Sequence, residues 1–199
     1  MTPNSELTGF IRAELRDLAR LLSETADSDI PAQAEEASAW CRDTLKAGGT
    51  IYYCGNGGSQ AEAMHLAAEL HGRLEFDRAP LAALAIGLNA STSSAIGNDY
   101  GFEFAFAREL AIVRPGDIVF ALTTSGRSPN VHHAIATAHA RGARVIAVTG
   151  SGSDDLEDAD LHLRIPSDRT RNVQEASLAI GHLICLIVER AMRDESPHP

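Results

Sequence analysis

The sequence predicts an α/β fold: a three-layer αβα sandwich built on a parallel sheet of about five strands, with two helices ahead of it. Three observations predict this. From residue 50 onward, five short apolar runs recur, each closed by Gly, Asn, Ser or Pro. Most intervals between them carry apolar positions at helical spacing. Most of the runs are continuously apolar, as strands covered by helices on both faces must be.

Taken in order, residues 5–25 place Leu7, Phe10, Ile11, Leu15, Leu18, Leu21 and Leu22 at the spacing of an amphipathic helix. A second helix is expected from Pro31 to Lys46. Pro31 suits a first helical turn, and the Ala-Gly-Gly of 47–49 stops the helix. Strands are expected at TIYYCG (50–55), LAALAI (81–86), DIVFALT (117–123), ARVIAVTG (143–150) and LHLRIP (161–166). Helices are expected at about 58–74, 100–111, 128–141 and 172–193. With no repeat, low-complexity tract or linker, residues 1–199 read as one domain, with 1–47 a helical pair packed outside the sheet. The closing DESPHP is expected to fray.

Composition narrows the function. The 199 residues hold 17 Lys+Arg against 27 Asp+Glu, a formal net charge of −10, which argues against a nucleic-acid binder. With 44% hydrophobic and 22% charged residues the chain can bury a core. Lys46 is the sole lysine, so Schiff-base catalysis has a single candidate. No secretory leader or membrane span is legible, and a soluble, cytoplasmic protein is expected. Cys41, Cys54 and Cys185 are odd in number and widely spaced, and read as free buried thiols.

In an open parallel sheet, ligands bind beyond the carboxyl ends of the strands. Two strand ends here carry unusual loops. Directly after TIYYC comes GNGGSQAEA (55–63), whose glycines let backbone N–H groups approach an anion and whose Ser59 is placed to cap the following helix. The spacing is neither GxGxxG nor a Walker loop. After DIVFAL comes TTSGRSPN (123–130), where Thr123, Thr124, Ser125 and Ser128 set four hydroxyls around a glycine at a helix start. Such hydroxyls can ring a phosphate without a lysine. His65 and Glu69 are four apart and share one helical face. His182 lies in the apolar stretch LAIGHLICLIV, where a histidine is more often a satisfied core residue. Gln174 and Glu175 stand at the expected start of that helix.

Together GNGGS (55–59), the HxxxE of MHLAAELHGR (64–73), AIGNDYGFE (95–103), GDIVFALTTSGRSPNV (116–131), VIAVTG (145–150) and QE followed by His182 resemble the SIS (sugar isomerase) domain. More narrowly they resemble the sedoheptulose 7-phosphate (phosphoheptose) isomerase family. The resemblance spans nearly the whole chain and implies a flavodoxin-like sheet. It implies that Asn56, Gly57, Gly58 and Ser59 contact a sugar phosphate, that Asn98 and Asp99 meet sugar hydroxyls, and that Thr123, Thr124, Ser125 and Ser128 surround the phosphate. It implies substrate contacts for Glu69 and Gln174. It further implies a zinc site of His65, Glu69, Gln174 and His182, with Glu69 and His182 as the acid/base pair, and a homotetramer. Thr123, Arg127, Asn172 and Ser177 stand where the family usually has Ser, Asn, Arg and His.

The chemistry agrees with the assignment. Moving a proton between C1 and C2 of a sugar phosphate needs a base, an acid and stabilisation of a developing oxyanion. A carboxylate, an imidazole and zinc supply these without redox cofactor or Schiff base. Two alternatives stand: a non-catalytic SIS protein that binds a partner such as a replication initiator, and another small sugar-phosphate isomerase. The presence of both Glu69 and His182 favours an enzyme. Gln174 and His182, eight apart, would sit about 12 Å apart along a regular helix and about 80° around it. Either Gln174 precedes the first turn or one ligand comes from another subunit, so an active site at a subunit boundary is expected.

Overall fold

A computed structural model describes residues 3–153, 156 and 158–193 of the chain; the DESPHP tail lies outside them. Two helices lead, α1 (Pro3–Ala26) and α2 (Ile30–Lys46). Then follow β1 (Ile51–Gly55), α3 (Gly58–His71), β2 (Ala83–Ala85), α4 (Ala90–Asp99), α5 (Ala105–Glu109) and β3 (Ile118–Leu122). The chain continues with α6 (Pro129–Ala140), β4 (Arg144–Gly150), β5 (Leu161–Ile165) and α7 (Thr170–Met192). Single 3₁₀ turns at Phe102–Phe104 and Leu110–Ile112 flank α5.

All four strand pairings are parallel and the order is β2-β1-β3-β4-β5. Continuous apolar strands make this possible because successive side chains feed two cores. Ile51, Tyr53, Ile118, Phe120, Leu122 and Ile146 face one core with α2, α3 and α7. Tyr52, Cys54, Val119, Ala121, Val145 and Ala147 face the other, with α5 and α6. The three cysteines are free and buried.

Outside the sheet, α2 packs on the core layer through Ile30, Ala34, Ala37 and Cys41, and α1 reaches it through Leu21. Two local readings change. Residues 90–99 form a helix that periodicity did not show: ASTSSAIGND has no apolar face, and only Ile96 is buried. What starts this helix is Asn89, whose side-chain oxygen accepts from the N–H groups of Ser91 and Thr92. The single helix expected over 100–111 is instead broken into two 3₁₀ turns and a five-residue helix, after Gly101 at φ +101° turns the chain.

Candidate active site

The strand order reverses between β1 and β3, and the register aligns Gly55 with Leu122, so the loops leaving these two strands lie side by side at the switch point. A reciprocal amide pair joins them. Asn56 Nδ2 donates to Asn130 Oδ1 and Asn130 Nδ2 to Asn56 Oδ1, both at 2.8 Å. Asn130 is buried. Gly57 takes φ +56° as the N-cap of α3. Ser59 does not cap that helix; it is buried in the first turn, no side chain caps α3, and the Ser59 and Gln60 N–H groups donate instead to the Asn56 and Gly57 carbonyls at 3.0 and 3.1 Å.

Asn56, Gly58, Ser59, Thr123, Thr124, Ser125, Ser128, Thr170 and Gln174 line one pocket of about 210 Å³. The structure thus brings both loops read from the sequence into a single wall. Thr123 Oγ1 and Ser128 Oγ lie 3.3 Å apart, and the Arg127 N–H donates to Ser125 Oγ at 3.3 Å. Ser128 is the N-cap residue of α6 but makes no side-chain cap, so its hydroxyl faces the pocket side. His132 of α6 contacts the Gly126 carbonyl through Nε2 at 2.7 Å and steadies the loop. Arg127 is exposed at the loop tip. Thr170 adds a further hydroxyl that no motif marks in the sequence.

Beside this pocket opens a second, of about 410 Å³, that shares Gly58 and Gln174 with it and includes Glu62 and His65. The Gln174 amide packs on Gly58 so closely that a Cβ there would lie 2.4 Å from Gln174 Nε2. Because α7 begins at Thr170, Gln174 is inside the regular helix and not ahead of it.

Further along the parallel pair α3 and α7, His65, Glu69 and His182 converge. Their ligand atoms all lie within 4.8 Å of one another. His65 Nε2 is 3.1 Å from Glu69 Oε1 and 2.7 Å from His182 Nε2. At 2.7 Å one imidazole Nε2–H must donate to the other, or a cation must lie between them. Two imidazoles and a carboxylate are also the donor set of a three-ligand catalytic zinc site, so the residues fit that ion. Glu69 and His182 meet within one chain and need no second subunit to do so. The His65 side chain is 46% exposed and Glu69 18%. Gln174 is not part of this trio. Asn98 and Asp99 line neither pocket; exposed at the end of α4, they bond to each other at 2.8 Å.

Sequence reasoning missed Glu62. It is buried one turn before His65, accepts a 2.6 Å bond from Ser177 Oγ, and has its pKa pushed up to about 7 because burial outweighs that bond. The available signal was its place three residues before His65 on the same helical face.

A SIS-domain family model matches residues 13–150. A phosphoheptose isomerase of Akkermansia muciniphila is 41% identical over 186 residues, 92% of this chain and 97% of that protein. Another, from Rhodospirillum rubrum, is 49% identical over 164 residues, 81% of this chain and 87% of its own. The chain belongs to the phosphoheptose isomerase family of SIS-domain proteins. Solved structures agree. The phosphoheptose isomerase of Francisella tularensis superposes with a TM-score of 0.85 at 33% identity, covering 96% of this chain and all of the other. That of Neisseria gonorrhoeae gives 0.83, also at 33%, over 92% and 99%. Among the described residues of this phosphoheptose isomerase family member, no helix is long and apolar enough to cross a membrane.

Proposed function

We propose that the protein isomerises D-sedoheptulose 7-phosphate to D-glycero-D-manno-heptose 7-phosphate, or a close heptose 7-phosphate, through an enediol. The observation that carries the reading is the joining of two half-sites by Gln174 and Gly58: a pocket of hydroxyls for the phosphate and, along α3 and α7, an acid/base cluster. Thr123, Thr124, Ser125 and Ser128, with Asn56, Gly57, Gly58 and Ser59 at the start of α3, hold the phosphate. Glu69 takes the C1 proton as the C1–H electrons form the enediol double bond. His182 protonates the carbonyl oxygen at C2, and C2 then receives a proton as the C1 oxygen loses its own and becomes the aldehyde. Asn98 and Asp99 contact sugar hydroxyls in this reading, and their distance from the pockets of one chain favours delivery by a second copy.

His65, Glu69 and His182 would hold a zinc ion, with Gln174 as a fourth donor if its amide leaves Gly58; bound there, the ion supplies Lewis acidity to a developing oxyanion. A lone pair that binds metal cannot move a proton at the same moment, so the proton would pass through an atom of Glu69 or His182 that is not bound to the ion.

We assign the active form to a homotetramer with its site at a subunit boundary, in the cytoplasm. Leu7 (63% exposed), Phe10, Ile11 and Leu15 leave an apolar stripe on α1 open. Exposed Met64 and Leu183 adjoin His65 and His182 in the chain, and Ile187 lies one turn on. A second copy covering this face would shield the cluster from water.

Incubation with sedoheptulose 7-phosphate in D₂O, followed by NMR, tests the reaction. An aldose phosphate carrying deuterium at C2 is expected. Absence of any aldose from protein supplied with Zn²⁺ refutes the assignment.

A further inference from the structure

The fully buried carboxylate of Glu189 stands on α7 seven residues beyond His182, and the chemistry above makes no use of it. Its Oε1 accepts the Leu74 N–H at 2.9 Å, and its Oε2 accepts those of Glu75 at 2.8 Å and Phe76 at 3.3 Å. Arg78, equally buried, brings Nε to 3.3 Å from Oε1. Its Nη2 donates to the Glu69 carbonyl at 2.8 Å, and its Nη1 to the carbonyls of Ala79 at 3.0 Å and Gly72 at 3.1 Å.

A buried ion pair is a weak source of stability, because desolvation consumes most of the attraction. Its placement is more informative. The last four carbonyls of a helix lack intrahelical partners, and Glu69 is in the last turn of α3. Arg78 therefore caps the peptide that carries the Glu69 side chain, and its charge suits a helix C-terminus. The other end of the pair is rooted on the helix that carries His182. Below it, Gly181 lets α7 approach α3 until an added Cβ would stand 2.7 Å from the Leu66 methyl groups. Below that, Ser177 bonds Glu62. Contacts at Ser177 and Gly181, and the Cys185 thiol on the Leu66 carbonyl at 3.8 Å, hold the helix pair as far as Leu66; beyond it, the Glu189–Arg78 network adds the polar tie between α7 and the end of α3 where Glu69 sits.

We propose that Glu189 and Arg78 are positioning residues that fix the axial register of α3 against α7, so that Glu69 and His182 face one another across His65. Its kinetic test rests on the isomerase reading above; its spectroscopic test does not. A misplacement of about 1 Å costs about a hundredfold in rate. The loss falls on kcat rather than KM, because the phosphate pocket lies at the opposite end of the two helices.

The experiment uses the full chain in three forms besides the parent. These are Glu189→Gln, the double variant Glu189→Gln/Arg78→Met, and a control, Ile135→Val, in the core on the far face of the sheet. The double variant buries no charge and is the form that keeps the fold safe. Each is assayed with sedoheptulose 7-phosphate at a temperature where circular dichroism shows it folded. The ring ¹⁵N resonances of His65 and His182 are recorded without substrate or metal. Both Glu189 variants are expected to lose at least about tenfold in kcat with KM within about twofold, and to shift both histidine resonances. The control should do neither. Should the double variant keep the parent's kcat and histidine resonances, or behave as the control does, the proposal is overturned. If the parent itself turns over no sedoheptulose 7-phosphate, the functional reading falls and the histidine resonances alone decide the positioning.

Discussion

Glu62 makes the stability of this protein depend on pH in a direction opposite to that of most carboxylates. Its pKa is raised by burial from 4.5 to about 7, against the lowering effect of the Ser177 hydroxyl. The native state therefore holds the proton at pH values where the unfolded chain has released it. Below pH 4.5 the group is protonated in both states and costs nothing. As pH rises towards 7 the unfolded state gains by ionising while the native state does not, and stability is lost. At about 1.4 kcal/mol per pKa unit, the loss is about 3 kcal/mol, complete above pH 7. Glu62→Gln removes the titration, and its amide oxygen can still accept the Ser177 O–H. The assay is urea unfolding of parent and variant at matched protein concentration from pH 4.5 to 8. Carboxylates common to both cancel in the difference. The variant is expected to gain on the parent by about 3 kcal/mol across that range, or about 6–12 °C in Tm for a chain of this size. A difference that stays flat within about 0.5 kcal/mol, or that moves the other way, refutes the burial argument.

Three further outcomes are expected. Glu69→Gln keeps the fold and lowers kcat by about 10²–10⁴-fold, since an amide of the same shape cannot take the carbon proton; kcat within about threefold of the parent would remove Glu69 from the mechanism. Ser125→Ala and Ser128→Ala each raise KM several-fold with little change in kcat, because each lost hydroxyl bond to a remote phosphate is worth about 0.5–1.5 kcal/mol of uniform binding; unchanged KM in both would empty the pocket of its assigned role. Leu15→Asp, on the exposed stripe of α1, shifts the assembly to smaller species in sedimentation, and a parent already sedimenting at about the 21.2 kDa of one chain would end the oligomer proposal.

What was legible in the sequence follows from which signals are local. The strands were readable because a strand covered on both faces must be apolar throughout, and Gly55 and the hydroxyls after Leu122 mark their ends. His65 and Glu69 were readable as one face of one helix. Helix α4 was not, since its only sequence signal is the Asn89 cap. The pairings that hold α3 to α7 were invisible for another reason. Glu62 and Ser177 are 115 residues apart, as are Leu74 and Glu189. Each of these residues alone reads as an ordinary polar position on a helix. His182 shared that difficulty: spacing alone made it a core histidine, and its place beside His65 follows from the packing of α7 on α3, where Gly181 meets Leu66.

Gln174 and His182, eight positions apart, are hard to assign to one ion, since a regular helix separates them by about 12 Å. The structure keeps that helix regular and gives each residue a different neighbour: Gln174 lies on Gly58 beside the phosphate loops, His182 against His65. On α3, parallel to α7, Gly58 and His65 stand a similar seven residues apart, and in the proposed reading the two helices would form a channel with a phosphate end and an acid/base end. A sugar phosphate laid along it would have its phosphate far from its reacting carbons, as a 7-phosphate requires when the proton moves between C1 and C2. This division predicts how Gln174→Ala should behave. As a substrate contact midway along the channel, its loss raises KM for sedoheptulose 7-phosphate and leaves Zn²⁺ affinity, read by calorimetry without substrate, within about threefold of the parent. A fall in Zn²⁺ affinity of about tenfold or more, the size typical for the loss of a ligand's support, would instead show that the amide leaves Gly58 to join His65, Glu69 and His182.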